Sequence, residues 1–162
     1  MYFWRIAKLK EHMIQQPLSD REVLPYLIGS ALIMGFFFAI LRHLPIINVW
    51  EDYLGFINFL VLGIGTYYVY IQNQGMHGQH LLQRYVVIGW VLSIRWLVIY
   101  LLTSTALGMA LYAAHLPTES YIMINCVYSA IATIIYYWLL GRHVRDVALR
   151  TGAVQPPLLP SA

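Results

Sequence analysis

Four long apolar stretches decide what this chain can become. They cover residues 25–41, 53–71, 85–112 and 121–140. A helix crossing the ~30 Å hydrocarbon core of a bilayer needs ~20 predominantly apolar residues, with a lower limit of ~17. The apolar residues run continuously rather than alternating, which excludes a transmembrane β-barrel. The connections at 42–48, 72–83 and 113–118 are short, and short connections make consecutive helices antiparallel neighbours. The expected fold is an all-α integral membrane protein, with four transmembrane helices in an up-down-up-down bundle.

Composition agrees. Of 162 residues, 60% are apolar and only 10% charged, against ~25% charged in ordinary soluble domains. Too little charge is present to cover a soluble domain of this size. A net charge of +3 therefore points to membrane orientation rather than to nucleic acid. The chain reads as a single membrane domain. No short apolar core with a small-residue cleavage site precedes residue 25, so the first span is expected to stay as its own insertion signal.

The basic residues set the orientation. Arg5, Lys8, Lys10, Arg21, Arg84, Arg142, Arg145 and Arg150 fall on the side of the N-terminus, Arg42 on the other, and Arg95 inside the third span. By the positive-inside rule both termini are cytoplasmic, in a plasma or inner membrane. Tyr67, Tyr68, Tyr70, Tyr136, Tyr137 and Trp138 fit an aromatic belt at the inner boundary.

Residues 1–16 are too polar to span. Tyr2, Ile6, Leu9 and Met13 recur at helical spacing, which predicts an amphipathic helix lying on the inner leaflet, anchored by Phe3, Trp4, Arg5 and Lys8. Ser19 and Glu22 form a capping box flanked by Leu18 and Val23. Pro25 suits only the first turn of a helix, so a short surface helix and a kink into the first span are expected. Asn48 with Glu51 is a second capping pair. Residues 141–151 extend the fourth helix into the cytoplasm, with Arg142 four positions from Asp146 for pairing. Arg142, Arg145 and Arg150 are candidate cytoplasmic contacts, Gly152 is a helix stop, and the Pro-rich stretch 152–162 is an extended tail.

Arg95 is the most informative residue. It stands 11 positions after Arg84, ~16 Å along a helix, near mid-membrane. A charge there costs at least ~2.5–3.5 kcal/mol on insertion scales, so it must face the bundle, water or another subunit. Ser93, Asn58, Asn125 and Ser129 are the polar residues within reach of that depth, and no span carries a carboxylate in its middle. Thr103, Ser104 and Thr105 are placed to bond back to the helix backbone. Gly63, Gly65, the Ala106–Ala110 pair and the Ser129–Thr133 pair mark close helix packing.

No catalytic constellation is visible. The six His sit at or beyond the span ends, His77-x-x-His80 lacks a third ligand, and Cys126 is alone. Phosphate loops, nucleophile elbows and zinc-protease motifs are absent. The sequence calls for no cofactor, no metal and no nucleic acid. It reads as a small non-enzymatic polytopic protein, a structural or anchoring subunit that packs in the bilayer against itself or other membrane subunits. Arg95 gives a first alternative, an oligomeric pore or membrane-permeabilising effector with Arg95 in the path. The aromatic content gives a second, a subunit holding quinone, haem or lipid.

Overall fold

A computed structural model describes residues 5–16, 18–41, 49–115 and 117–154. Among them are five α-helices and no strand: α1 (Ile6–Gln15), α2 (Asp20–Leu41), α3 (Val49–Gln72), α4 (Leu81–Ala113) and α5 (Thr118–Val154). Three of these are long and apolar enough to cross a membrane: α3 over Gly55–Gln72, α4 over Leu81–Ala113 and α5 over Thr118–Thr151. The chain is a helical membrane protein by that measure. At 1.5 Å per residue, the 33 residues of α4 and 37 of α5 reach ~50 and ~55 Å. Both overshoot a ~30 Å hydrocarbon core.

Helix ends follow local chemistry. The Ser19 amide and hydroxyl both bond Glu22 Oε2 at 2.8 Å, which is the capping box that starts α2. The expected kink at Pro25 gives way to one unbroken helix. Pro25 removes only the bond its missing N–H would have made to Arg21, and the turns on either side retain theirs. Gly152 does not stop α5, which runs on to Val154. The Asn48–Glu51 pair and the tail beyond Val154 lie outside the described residues.

Close approaches give the helix directions. Gly65 meets the Tyr137 ring and Gly141 meets the Tyr68 ring, so α3 and α5 run parallel. Ser93 meets Tyr136 and Tyr100 stacks on Tyr128 at 5.4 Å, so α4 and α5 run antiparallel. Gly29 meets Trp90, and Gln83 Nε2 donates to the Leu18 carbonyl, so α2 runs parallel to α4. The main packing differs from consecutive neighbours. Among the described residues α5 packs on both α3 and α4, and α2 packs on α4. The α3–α4 pair touches chiefly near its own turn, through Thr66 and Tyr85 at 3.3 Å.

That turn is pinned by a buried polar pair. Asn73 is fully buried, Arg84 is 3% exposed, and Arg84 Nη1 donates to Asn73 Oδ1 at 2.7 Å. Asn73 Nδ2 donates onward to the Gln79 carbonyl at 3.4 Å. Between them the chain passes through left-handed Gln74 and Gly75 and a 3₁₀ turn, Gly75–His77. Arg84, one of the basic residues counted on the N-terminal side, is folded into the hairpin.

α1 also differs from expectation. Its apolar stripe does not face lipid. Leu9 and Met13 are buried in the core beside Val144 and Val147, and α1 packs on α5 and α4. Lys10 Nζ clamps the contact to Asp146 Oδ2 at 2.5 Å. Phe3 and Trp4 lie outside the described residues, while Arg5 and Lys8 are exposed.

The core sits at one end, which we call proximal: the end with α1, the 73–80 turn and the last turns of α5. Every buried described residue of α2 lies before Gly29, of α3 from Gly65 onward, of α4 up to Leu92, and of α5 between Ala132 and Ala148. Beyond those limits the distal parts of α3, α4 and α5 contain no buried residue among those described.

Candidate functional site

One face of α5 carries the polar groups. Asn125, Ser129, Ala132, Tyr136, Leu139, His143 and Asp146 recur every three or four residues, so they align along the helix. Against α4 this face forms two linked clefts and, further proximal, a basic pocket.

The distal cleft has a volume of about 570 Å³ and is lined by Tyr100, Ser104, Thr105, Gly108, Asn125 and Ser129 among others. Cys126 and Met109 also line it. Gly108 allows α5 to come close, since a Cβ there would stand 3.3 Å from Tyr121 Oη. The α4 hydroxyls bond back as expected: Thr103 to the Ile99 carbonyl and Thr105 to that of Leu101, each at 2.8 Å, and Ser104 to Leu101 at 3.1 Å. Thr103 also meets the Tyr128 hydroxyl. Their protons are thus satisfied within the chain, but their oxygens remain able to accept. The Asn125 carboxamide lines the cleft without a hydrogen bond to any described residue.

The middle cleft, about 290 Å³, shares Tyr100 and Ser129 with the first and adds Ser93, Trp96, Leu97 and Tyr136. Ser93 and Tyr136 hydroxyls lie 2.9 Å apart, and Tyr136 donates to the Gly89 carbonyl at 3.3 Å. These bonds tie α5 to α4 beside the cleft.

The proximal pocket, about 470 Å³, is lined by Lys10, Leu139, Arg142, His143 and Asp146. This charged stretch lies at the proximal end of α5, past the apolar run 121–140. Arg142 does not pair with Asp146. Its guanidinium lies 5.0 Å above the Trp138 ring, a cation–π contact. Asp146 takes Lys10 and, at 2.9 Å, Arg150 Nε. The Lys10 bond, foremost, holds the Asp146 carboxyl below its ordinary range. Burial first, then the charges of Lys10, Arg142 and Arg95, holds the His143 imidazole below its own, with Asp146 opposing.

Of the expected intramembrane polar set, the structure brings Ser129 into both clefts, Asn125 into the distal one and Ser93 into the middle one. Arg95 is half-buried on α4 and lines none of these clefts. Helical side chains tilt toward the N-terminus of their helix, and on α4 that tilt is proximal. Asn58 is half-buried on α3 and lines none of these clefts. Arg145 and Arg150 are exposed. Sequence reasoning did not single out Tyr100 or the Lys10–His143–Asp146 grouping, and it read Tyr136 as part of an interfacial aromatic belt. The three-to-four-residue recurrence along α5 is the signal that could have aligned Tyr136, His143 and Asp146.

Among the described residues no three His, Cys, Asp or Glu are grouped to hold a metal ion. Fold and clefts define a helical membrane protein with a polar α4–α5 face. No family model, curated protein or solved structure matches the chain.

Proposed function

We propose that the protein is a non-enzymatic subunit of a membrane assembly and that a helix of another chain covers its distal α4–α5 face. The reading takes α2 as a fourth span alternating in direction with the others, and both termini as cytoplasmic. α1 then lies at the inner leaflet surface, held to the bundle by Lys10.

The observation that carries it is the Asn125 carboxamide in a hydroxyl-lined cleft, on a half of the molecule without a buried core. A polar group facing hydrocarbon without a partner costs free energy comparable to a lost hydrogen bond or more. Small and hydroxyl residues such as Gly108, Ser104 and Ser129 are what transmembrane helices place where another helix approaches. Apolar faces of α3, exposed at Phe59 and Ile64, suit lipid and need no partner.

Purified in mild detergent, the wild type is expected to have a protein mass at least twice that of the 18.7 kDa chain, or to carry a second subunit. Asn125→Leu combined with Ser129→Leu is expected to release the single chain. A stable, lipid-surrounded monomer of wild type overturns the proposal. A second reading, an oligomeric pore, draws on the same hydroxyl lining, which several copies would turn toward a shared axis. Ion flux through liposomes holding the purified protein tests it.

A further inference from the structure

The proximal pocket has features that neither packing nor a partner helix explains. It collects two cationic side chains, Lys10 and Arg142, and the His143 imidazole around one carboxylate, Asp146. Arg150 stands at the rim on Asp146. Lys10 and Arg142 contribute two positive charges and Asp146 returns one, so the lining carries a balance of +1 before Arg150 is counted, and among the described residues no acidic residue other than Asp146 lines the pocket. The Lys10 ammonium already has Asp146, whereas Arg142 is half-engaged, one ring face covering its plane and its edge donors available.

The pocket also has an apolar side. Leu139 lines it, one α5 turn from Tyr136 and two from Ala132. Those residues line the middle cleft with Trp96 and Leu97. Seven residues separate His143 from Tyr136, ~10 Å along the helix. Along α5 the basic pocket thus lies end to end with the middle cleft, where Trp96, Leu97 and Ala132 offer apolar surface. That combination fits an amphiphile with an anionic head and hydrocarbon tails.

We propose that the Lys10–Arg142–His143 pocket binds the phosphate of an anionic phospholipid of the proximal leaflet, whose acyl chain lies along Leu139 toward the Trp96–Ala132 cleft. Arg142 makes the principal phosphate contact through its free edge, because a planar guanidinium matches phosphate oxygens in pairs. Lys10 contributes from α1, so lipid occupancy and docking of α1 favour each other. The site is separate from the distal face assigned to a partner chain, and each can fail without the other. It rests only on the proximal end lying at a membrane surface.

The test uses the full chain in detergent, with phosphatidylglycerol and phosphatidylcholine added at equal concentration and bound lipid counted by native mass spectrometry. Wild type is expected to retain phosphatidylglycerol over phosphatidylcholine by at least about fivefold, the equivalent of one well-placed basic residue. Arg142→Gln is expected to remove that preference. Arg145→Gln, on an exposed residue outside the pocket, is expected to leave it unchanged. A variant-free arm measures the unfolding midpoint of wild type, which phosphatidylglycerol raises and phosphatidylcholine does not. Equal retention of the two lipids overturns the proposal. So does an equal loss in both variants, which marks a diffuse surface charge effect. Inorganic phosphate binding at millimolar concentration in an Arg142-dependent way, with no lipid preference, marks a small-anion site and overturns it too.

Discussion

Gly65→Ala is the substitution whose cost the structure specifies best. α3 and α5 run parallel with Gly65 against the Tyr137 ring. A Cβ built at Gly65 stands 2.4 Å from Tyr137 Cγ and 2.6 and 2.7 Å from the two Cδ atoms. Carbon atoms rest at ~3.5–4.0 Å, so the helices must separate by about 1 Å or the ring must leave its rotamer. Tyr137 is 7% exposed and packed in the core, so it has little room to move. Overpacking of this kind costs ~1–3 kcal/mol. Replacing Gly by Ala also gains up to ~1 kcal/mol in helix propensity, which blurs a single measurement. Gly63 removes that ambiguity. It lies two residues away on the same helix with nothing within 4 Å of its built Cβ, so Gly63→Ala shows the propensity gain alone. Reversible unfolding in mixed micelles, read as the difference between the two variants, is expected to place Gly65→Ala ~1–3 kcal/mol below Gly63→Ala. A difference within ~0.5 kcal/mol, the scatter expected for independent surface changes, refutes the close α3–α5 contact.

Two other predictions concern the proximal end. Asn73→Leu leaves the buried Arg84 guanidinium without its Oδ1 acceptor and is expected to lower unfolding free energy by ~1.5–3 kcal/mol, the range for hydrogen bonds to charged groups; chemical denaturation in micelles checks it, and an unchanged midpoint contradicts it. His143 makes stability fall in mild acid. Because its folded pKa lies below the unfolded value of ~6.5, the unfolded chain takes up the proton first as pH falls. The contribution is complete above ~6.5 and declines as pH drops through that value toward the folded pKa. Asp146, also depressed when folded, adds a loss of the same sign only at lower pH, below ~4. Unfolding midpoints at pH 8 and 5.5 are expected to differ more for wild type than for His143→Gln; an identical pH response contradicts the assignment.

Apolar run length was enough to locate the helices because crossing hydrocarbon demands it, and the Ser19–Glu22 box announced where α2 begins. Which helices touch was not legible. A spanning helix is apolar on nearly every face, so periodicity carries little information about neighbours, and loop length indicates direction better than contact. The same limit applies to α1. Its stripe of Ile6, Leu9 and Met13 suits lipid and protein equally, and only Lys10 reaching Asp146 across the fold decides for the bundle. Gly63 and Gly65 looked alike in sequence, yet only Gly65 meets an aromatic ring. Asn73 read as a loop residue because nothing local reveals that Arg84, 11 positions on, turns back to bond it. Arg95 was singled out by its depth along α4, a register that says nothing of which α5 groups the antiparallel packing brings near.

The central claim, that another chain covers the distal α4–α5 face, is tested most directly by site-specific photo-crosslinking in native membranes. A photoreactive residue replaces Met109 in the distal cleft or Phe59 on α3, positions exposed to similar degrees, 64% and 69%. The account predicts a discrete protein adduct from position 109 and only lipid adducts from position 59. Lipid adducts alone from both positions contradict it.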